Sequence, residues 1–232
     1  MYLRTIHAEH NVSALQQFIR SNPLGIFTTA IESKTFPFLQ SSHIPFVLDV
    51  DNTSSGTHLG VLRGHLARAN PQAKALIEHL KPQVENEEGS LKPGPRTLSR
   101  DVLVLFNGPA HHYVYGRATI FYETKDSTTD AFLVKQIRDL SMQAEVDIMG
   151  HKENPWQVED APTSYVELLK KAIIGVEIEV TDIGGKFKMS QELAVGDRGG
   201  VVEGFEGLGS DVRKWMAENV RERGSMVGKV DA

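Results

Sequence analysis

Short apolar segments with strand-like alternation, separated by turn clusters, run through most of this chain, and their spacing limits the fold more than any other feature. Residues 25–31 are rich in β-branched side chains and read as a strand. Residues 40–49 form a second, with Ser42, Ile44, Phe46 and Leu48 on one face, and Pro45 marks an edge or a bulge. A turn cluster at 51–56 joins it to a third strand at 57–66, making an antiparallel hairpin. Further strands are expected at 101–106, 111–122, 175–183 and 186–189, with turns at 107–110 and at Gly184-Gly185. Helical spacing is found at 11–21, 72–80, 128–144, 165–172 and 211–223. Asn11 or Ser13 caps the first of these helices, and Thr163 or Ser164 the fourth. Residues 81–100 read as an exposed loop, and the chain turns Gly-rich after Gln191. With few long parallel crossovers, the expected class is mainly β with peripheral helices (α+β). A Greek-key-like antiparallel barrel fits better than a doubly wound sheet.

The densest chemistry lies in Leu62-Arg63-Gly64-His65-Leu66-Ala67-Arg68-Ala69-Asn70-Pro71. Arg63 and His65, two apart, share one strand face. Arg68 and Asn70 fall at the strand exit, and Pro71 is suited to the first position of the next helix. Guanidinium forks and free N–H groups at a helix start together make an anion seat. The same residues read equally well as a charged strand edge that keeps a sheet soluble. A second basic group, Lys186, Lys188, Ser190 and Gln191, follows Gly184-Gly185. Alone it is a solvated face; it becomes part of a phosphate pocket only if the fold brings it to Arg63 and Arg68.

Other chemistries are poorly supported. There is no cysteine, which removes disulfides, thiolate metal sites and cysteine nucleophiles. His111 and His112 are adjacent on a strand and point to opposite faces, so they do not chelate one ion, and no metal site is expected. His43 reads as a hydrogen-bonded barrel histidine, while His7, His10 and His79 carry no signal. The glycines at 196–209 lack the Lys-Ser/Thr end of a P-loop, and no nucleophile elbow or dinucleotide-binding turn occurs. No acid, base or nucleophile stands out, so the catalytic residues stay unknown. A formal net charge of −5 argues against a basic nucleic-acid-binding surface, and direct sequence-specific DNA binding is not expected. No apolar run reaches the ~20 residues of a membrane span, and no signal core is found at the N-terminus. The expectation is a soluble, cytoplasmic protein, with a nuclear location left open.

Taken together, several segments resemble the PaiB family. They are Met1-Tyr2, Asn22-Pro23-Leu24-Gly25, Ser42-His43-Ile44-Pro45-Phe46, the Leu62 to Pro71 stretch and Lys186-Phe187-Lys188-Met189-Ser190-Gln191. Pro155-Trp156, Asp160-Ala161-Pro162, Ile174-Gly175-Val176-Glu177-Ile178, Asp197-Arg198 and Gly200-Val201 fit as well. The resemblance covers 1–207 as one domain and leaves 208–232 as a C-terminal helix and tail. It implies an FMN-binding split β-barrel, a homodimer with flavin at the subunit interface. The implied flavin-binding candidates are Arg63, His65, Arg68 and Asn70, with Lys186, Lys188, Ser190 and Gln191 as a weaker second set. Bacterial members of that family are named as negative transcriptional regulators, and related split barrels include flavin oxidoreductases. Alternatives are a non-catalytic ligand-sensing regulator and a haem-binding split barrel with His43 or His111 as axial ligand. One departure stands out: the family carries a longer stretch with a Trp-Asn-Tyr motif where Val114 here runs straight into Tyr115-Gly116-Arg117-Ala118. Contacts from that stretch do not carry over.

Overall fold

A computed structural model describes residues 2–50, 59–81 and 94–226. The expected turn at 51–56, the first two residues of the third strand and most of the 81–100 loop lie outside the described residues. The elements are β1 (Ala8–Glu9), α1 (Val12–Ser21), β2 (Leu24–Ala30), β3 (Leu39–Pro45), β4 (Val47–Asp49), β5 (Val61–Ala67) and α2 (Pro71–Leu80). There follow β6 (Arg96–Thr97), β7 (Val102–Asn107), β8 (His111–Phe121), α3 (Ser127–Met142), α4 (Thr163–Lys171), β9 (Ile173–Lys186), α5 (Val195–Gly207) and α6 (Asp211–Met226).

All pairings are antiparallel, in the order β3-β2-β7-β8-β9-β5-β4, with β1 added to β9 and β6 to β8. β3 and β4 are one bent segment: β3 pairs with β2 and β4 with β5, so the chain itself joins the two edges of the sheet. The bend falls at Phe46, whose N–H leaves the ladder and donates to the Pro23 carbonyl at 2.9 Å. Pro45 stands just before it, as its missing donor requires. The result is a mainly β split barrel with peripheral helices, as expected. Its interior is closed by residues from every long strand, among them Phe27, Phe46, Leu62, Val104, Ile120 and Ile178, all buried. Alternation explains the selection: on β2, β7 and β8 every second residue points inward.

Three expectations are corrected. Gly184-Gly185 is not a turn, and Lys186 does not open a new strand; β9 runs unbroken to Lys186. The glycines serve close packing instead. A Cβ on Gly184 would lie 2.6 Å from the Tyr113 hydroxyl, and one on Gly185 2.6 Å from His112 Nε2. The Gly-rich stretch after Gln191 is helical, as α5, despite glycine's poor helix propensity. Its partner α6 and the core residues beneath supply the missing stability: Val202, Ala217 and Val220 are all buried in the main core. Pro162, not Thr163 or Ser164, precedes α4, and no side chain caps that helix. Asn11 does cap α1, accepting from the Ala14 N–H at 3.0 Å.

The Val114–Tyr115 junction lies inside β8. The strand continues through it, with a register shift opposite: Tyr115 faces Asp182 and Gly116 faces Val180. Thr181, the extra residue, donates from Oγ1 to the Tyr115 carbonyl at 3.2 Å.

Candidate functional site

β5 ends at Ala67, a short turn follows, and α2 starts at Pro71. Pro at the first helical position costs no hydrogen bond, because that N–H has no partner within the helix. Asn70 is the cap: its Oδ1 accepts the Gln72 N–H at 2.8 Å, and its Nδ2 donates to Ser42 Oγ on β3 at 3.0 Å. Gln72, buried, donates from Nε2 to the Phe27 carbonyl at 3.1 Å and to Thr29 Oγ1 at 3.0 Å. The start of α2 is therefore fixed against β2 and β3. Arg68, half-buried, donates from Nη2 to the Tyr122 carbonyl at 2.8 Å and, more weakly, to Ile173 and Lys171 carbonyls at 3.3 Å. Those partners are neutral, so its positive charge is not neutralised by contact; Glu123 acts on it through space. Burial lowers the Arg68 pKa below its ordinary value, with Glu123 opposing. No acidic residue occupies the first turn of α2, and Lys74 stands exposed there. The β5–α2 junction thus carries a guanidinium without a contacting carboxylate, with Glu123 acting on it at a distance, and a helix start without an acidic residue in its first turn.

Arg63 behaves differently, although only five residues away. It is 2% exposed. Its Nε and Nη2 donate to Asp49 Oδ2 and Oδ1 at 2.6 and 3.0 Å, Nη2 also to Asp139 Oδ2 at 2.6 Å, and Nη1 to Gln136 Oε1 at 3.1 Å. Burial lowers its pKa, but the two aspartates outweigh that and raise it above the usual value. Every nitrogen is spent on protein partners under α3. His65 shares that face, also under α3; it is half-buried, its Nδ1 has no partner, and burial lowers its pKa. Gly175, opposite His65 on β9, lets α3 come close: a Cβ there would fall 2.4 Å from the Phe132 ring, which stacks on Phe121 at 3.9 Å.

The second set lies elsewhere. Arg68 N–H bonds the Ala172 carbonyl just before β9, whereas Lys186 is the last residue of that strand. About 40 Å of strand separates them within one chain. Lys188 is exposed, and Ser190 adopts a left-handed backbone with φ 59°. Gln191 is buried and folded onto its own loop, accepting from the Met189 N–H and donating to the Phe187 carbonyl, both at 2.6 Å. One chain alone does not bring the two sets together.

Two histidines depart from expectation. His43 is exposed on β3 rather than bonded inside the barrel. His7 is buried and bonded to Glu192 at 3.0 Å, a pairing across 185 residues that no local pattern announces. His111 and His112 do point to opposite sides, the first exposed and bonded to Asn107 Oδ1 at 3.1 Å, the second buried. A cleft of about 1040 Å³ opens between the end of β2, the 31–38 loop, the last turn of α2 and residues 98–102. Ile31, Phe38 and Leu98 form its apolar wall, and none of the eight candidate residues lines it. Among the described residues no helix is long and apolar enough to cross a membrane.

The fold is an antiparallel split barrel with peripheral helices, the class in which flavin-binding proteins are found. The chain belongs to the family described as "Putative FMN-binding domain", whose model matches residues 1–127 and 113–182. The two matched segments overlap at the Val114–Tyr115 junction. An uncharacterized protein of Emericella nidulans is 53% identical over 256 aligned positions, covering 99% of this chain and 100% of the relative. One of Aspergillus fumigatus is 48% identical over 265 positions, covering 99% and 100%. Alignments of 256 and 265 positions exceed this chain's 232 residues, so both relatives carry residues without a counterpart here. Among solved structures, a conserved hypothetical protein of Mycobacterium tuberculosis superposes with a TM-score of 0.49 at 14% identity, over 84% of this chain and 94% of that one. A flavocytochrome of Azotobacter vinelandii does so with a TM-score of 0.42 at 10% identity, over 81% and 72%. Likeness at that level carries no argument about activity.

Proposed function

We propose that this protein is a PaiB-like, homodimeric FMN-binding split barrel in which the β5–α2 junction holds the flavin phosphate. The observation that carries the reading is that Arg68, at the exit of β5, is held by neutral carbonyls only, two residues before a helix start that has no acidic residue in its first turn. In this reading Arg68 and Lys74 supply charge, and Asn70 and Ser42 supply neutral hydrogen bonds. Arg63 and His65 act indirectly, by fixing β5 under α3. Bound FMN supplies hydride or electron transfer through its isoalloxazine ring, and the protein supplies position and electrostatics.

A second copy is part of the proposal. The outer face of β3-β2-β7 and the first half of β8 has no extensive helix packing among the described residues and carries Leu24, Ile26, Leu39, Leu103, Leu105 and Tyr113. Leu24 and Leu39 are more than half exposed. An apolar sheet face of this kind is what an isologous dimer buries, and a stable one needs about 800 Å² from each partner. A dimer also offers a way for Lys186 and Lys188 of one copy to approach the seat of the other. The regulator role follows the PaiB resemblance and, with a net charge of −5, acts through the ligand or a partner rather than by direct DNA reading.

Reconstitution tests the reading. Purified protein mixed with FMN should quench flavin fluorescence at one flavin per chain, elute as a dimer and show no Soret band after haem is offered. A monomer that leaves FMN fluorescence unchanged at micromolar concentration contradicts it.

A further inference from the structure

Where the barrel meets its C-terminal helices, one histidine is sealed in without a polar partner. His112 on β8 is fully buried, and neither ring nitrogen has a hydrogen bond. Its ring lies flat on Phe18 of α1, with centroids 3.7 Å apart and planes 18° from parallel. Phe187, just past β9, meets it edge-on at 5.3 Å. The Arg223 guanidinium of α6 stands 3.8 Å over the Phe187 ring and pairs with Glu9 of β1. Glu9, Arg223 and the neighbouring His111 are the charged or titratable groups that act on His112; α1 and β9 bring only Leu15, Phe18 and Gly185 against it.

The elements around this box are unequal: α1 and Phe187 touch the ring, and α6 reaches it only by way of Arg223 over Phe187. α1 is locked into the barrel by Leu15, Phe18 and Ile19, and Gln16 donates to the Leu59 carbonyl at 3.1 Å. The α5–α6 pair is looser. α5 holds five glycines in 13 residues, each weakening a helix. Besides its core contacts, the pair reaches the barrel through Arg223–Glu9, while Glu192 in the loop before it bonds His7. We infer that His112 is an acid-sensitive latch for the α5–α6 pair: charging its ring favours the state in which the two helices lift from the barrel and the ring reaches water.

The sign follows from burial. In the docked state burial lowers the His112 pKa from 6.5 to about 4; Glu9 offsets part of this, and Arg223 and His111 add to it. In the lifted state the ring recovers its ordinary value. The lifted state therefore takes up a proton first. Docking is at full strength above pH 6.5, weakens as pH falls below it, and has lost the whole contribution below about pH 4. The docking constant falls about tenfold from pH 7.5 to 5.5 and about 300-fold below pH 4. Glu9 and Glu192, both held below the usual carboxylate range, stay ionised at pH 5.5. For Glu9 burial acts the other way, but the Asn11 N–H and Arg223 overcome it; for Glu192 the bond to His7 is the main cause. His7 Nε2 lies 3.0 Å from Glu192 Oε2 in the loop before α5. The His112→Leu comparison isolates the tenfold change as the contribution of His112, and it holds whether or not flavin binds.

Hydrogen exchange on the full chain at pH 7.5 and 5.5, corrected for intrinsic rates, tests this. Residues 211–226 should lose about tenfold protection at pH 5.5 while β2 and β7 keep theirs, and His112→Leu should abolish the difference. Equal protection at both pH values, or the same loss in His112→Leu, overturns it. Where that variant does not fold, the wild-type ring is titrated by NMR: a midpoint near 4 supports the latch, and one near 6.5 overturns it.

Discussion

On one side of the barrel α3 lies over β4, β5, β8 and β9 and hides a charged cluster; on the other, among the described residues, β2 and β7 have no extensive contact with a helix, and β3 meets the start of α2. Under α3, Arg63 is matched by Asp49, Asp139 and Gln136, with Lys135 closing on Asp139. Burial raises the Asp139 pKa, but Lys135 and Arg63 outweigh it, and the net shift is downward. That face is finished within one chain. The opposite face presents half-buried Ile26, Leu103, Leu105 and Tyr113, the last with Tyr115 edge-on at 5.6 Å. The arginine on the first face has its carboxylate partners already in place, while the arginine at the edge of the barrel, Arg68, is bound by neutral carbonyls, which is why the proposed phosphate seat rests on Arg68.

The largest effect should come from breaking the covered side. Arg63→Ala removes the buried guanidinium that joins Asp49, Asp139 and Gln136, leaving the two carboxylates to Lys135 alone, and should cost about 3 kcal/mol in denaturant unfolding. A loss under 1 kcal/mol, with a clear loss of FMN affinity, would return Arg63 to the phosphate. Next comes the opposite side: Leu105→Glu places a charge in the centre of the apolar sheet face. It should raise the dimer dissociation constant at least a hundredfold, roughly 2.7 kcal/mol, by sedimentation, with the fold intact by circular dichroism. An unchanged constant would place the interface elsewhere. The smallest effect sharpens the contrast within the covered cluster. Glu177 lies opposite Arg63 on β9, and burial raises its pKa more than Arg63 lowers it. Its ionised form therefore costs stability above the ordinary carboxylate pKa. Glu177→Gln should raise Tm by roughly 1–3 °C at pH 7 and by nothing near pH 3. A lower Tm at pH 7 would show that the carboxylate is needed.

Much of this fold was legible because strand alternation and turn chemistry are local. The pattern Ser42, Ile44, Phe46, Leu48, the cap at Asn11 and the proline at the start of α2 all express short-range physics. What failed was tertiary. Gly184-Gly185 carries a turn signature, yet its glycines make room for Tyr113 and His112 from the neighbouring strand. α5 is helical against its own propensity because α6 and the core hold it. At the candidate site, the strand exit and the helix start at Pro71 were legible, but the different partners of the two arginines were not. Asp49 and Asp139 lie 14 and 76 residues from Arg63, and only the barrel brings them to it. His7 with Glu192 was missed for the same reason.

The most direct test of the phosphate seat compares two ligands on two proteins: FMN and riboflavin, titrated into wild type and Arg68→Ala. The variant must first match wild type in thermal unfolding, since Arg68 also holds the Tyr122 and Ile173 carbonyls. A charge-assisted contact to phosphate is worth about 1.5–3 kcal/mol, so Arg68→Ala should weaken FMN at least tenfold and leave riboflavin within about twofold. Equal weakening of both flavins, or of neither, would contradict a phosphate seat at the β5–α2 junction.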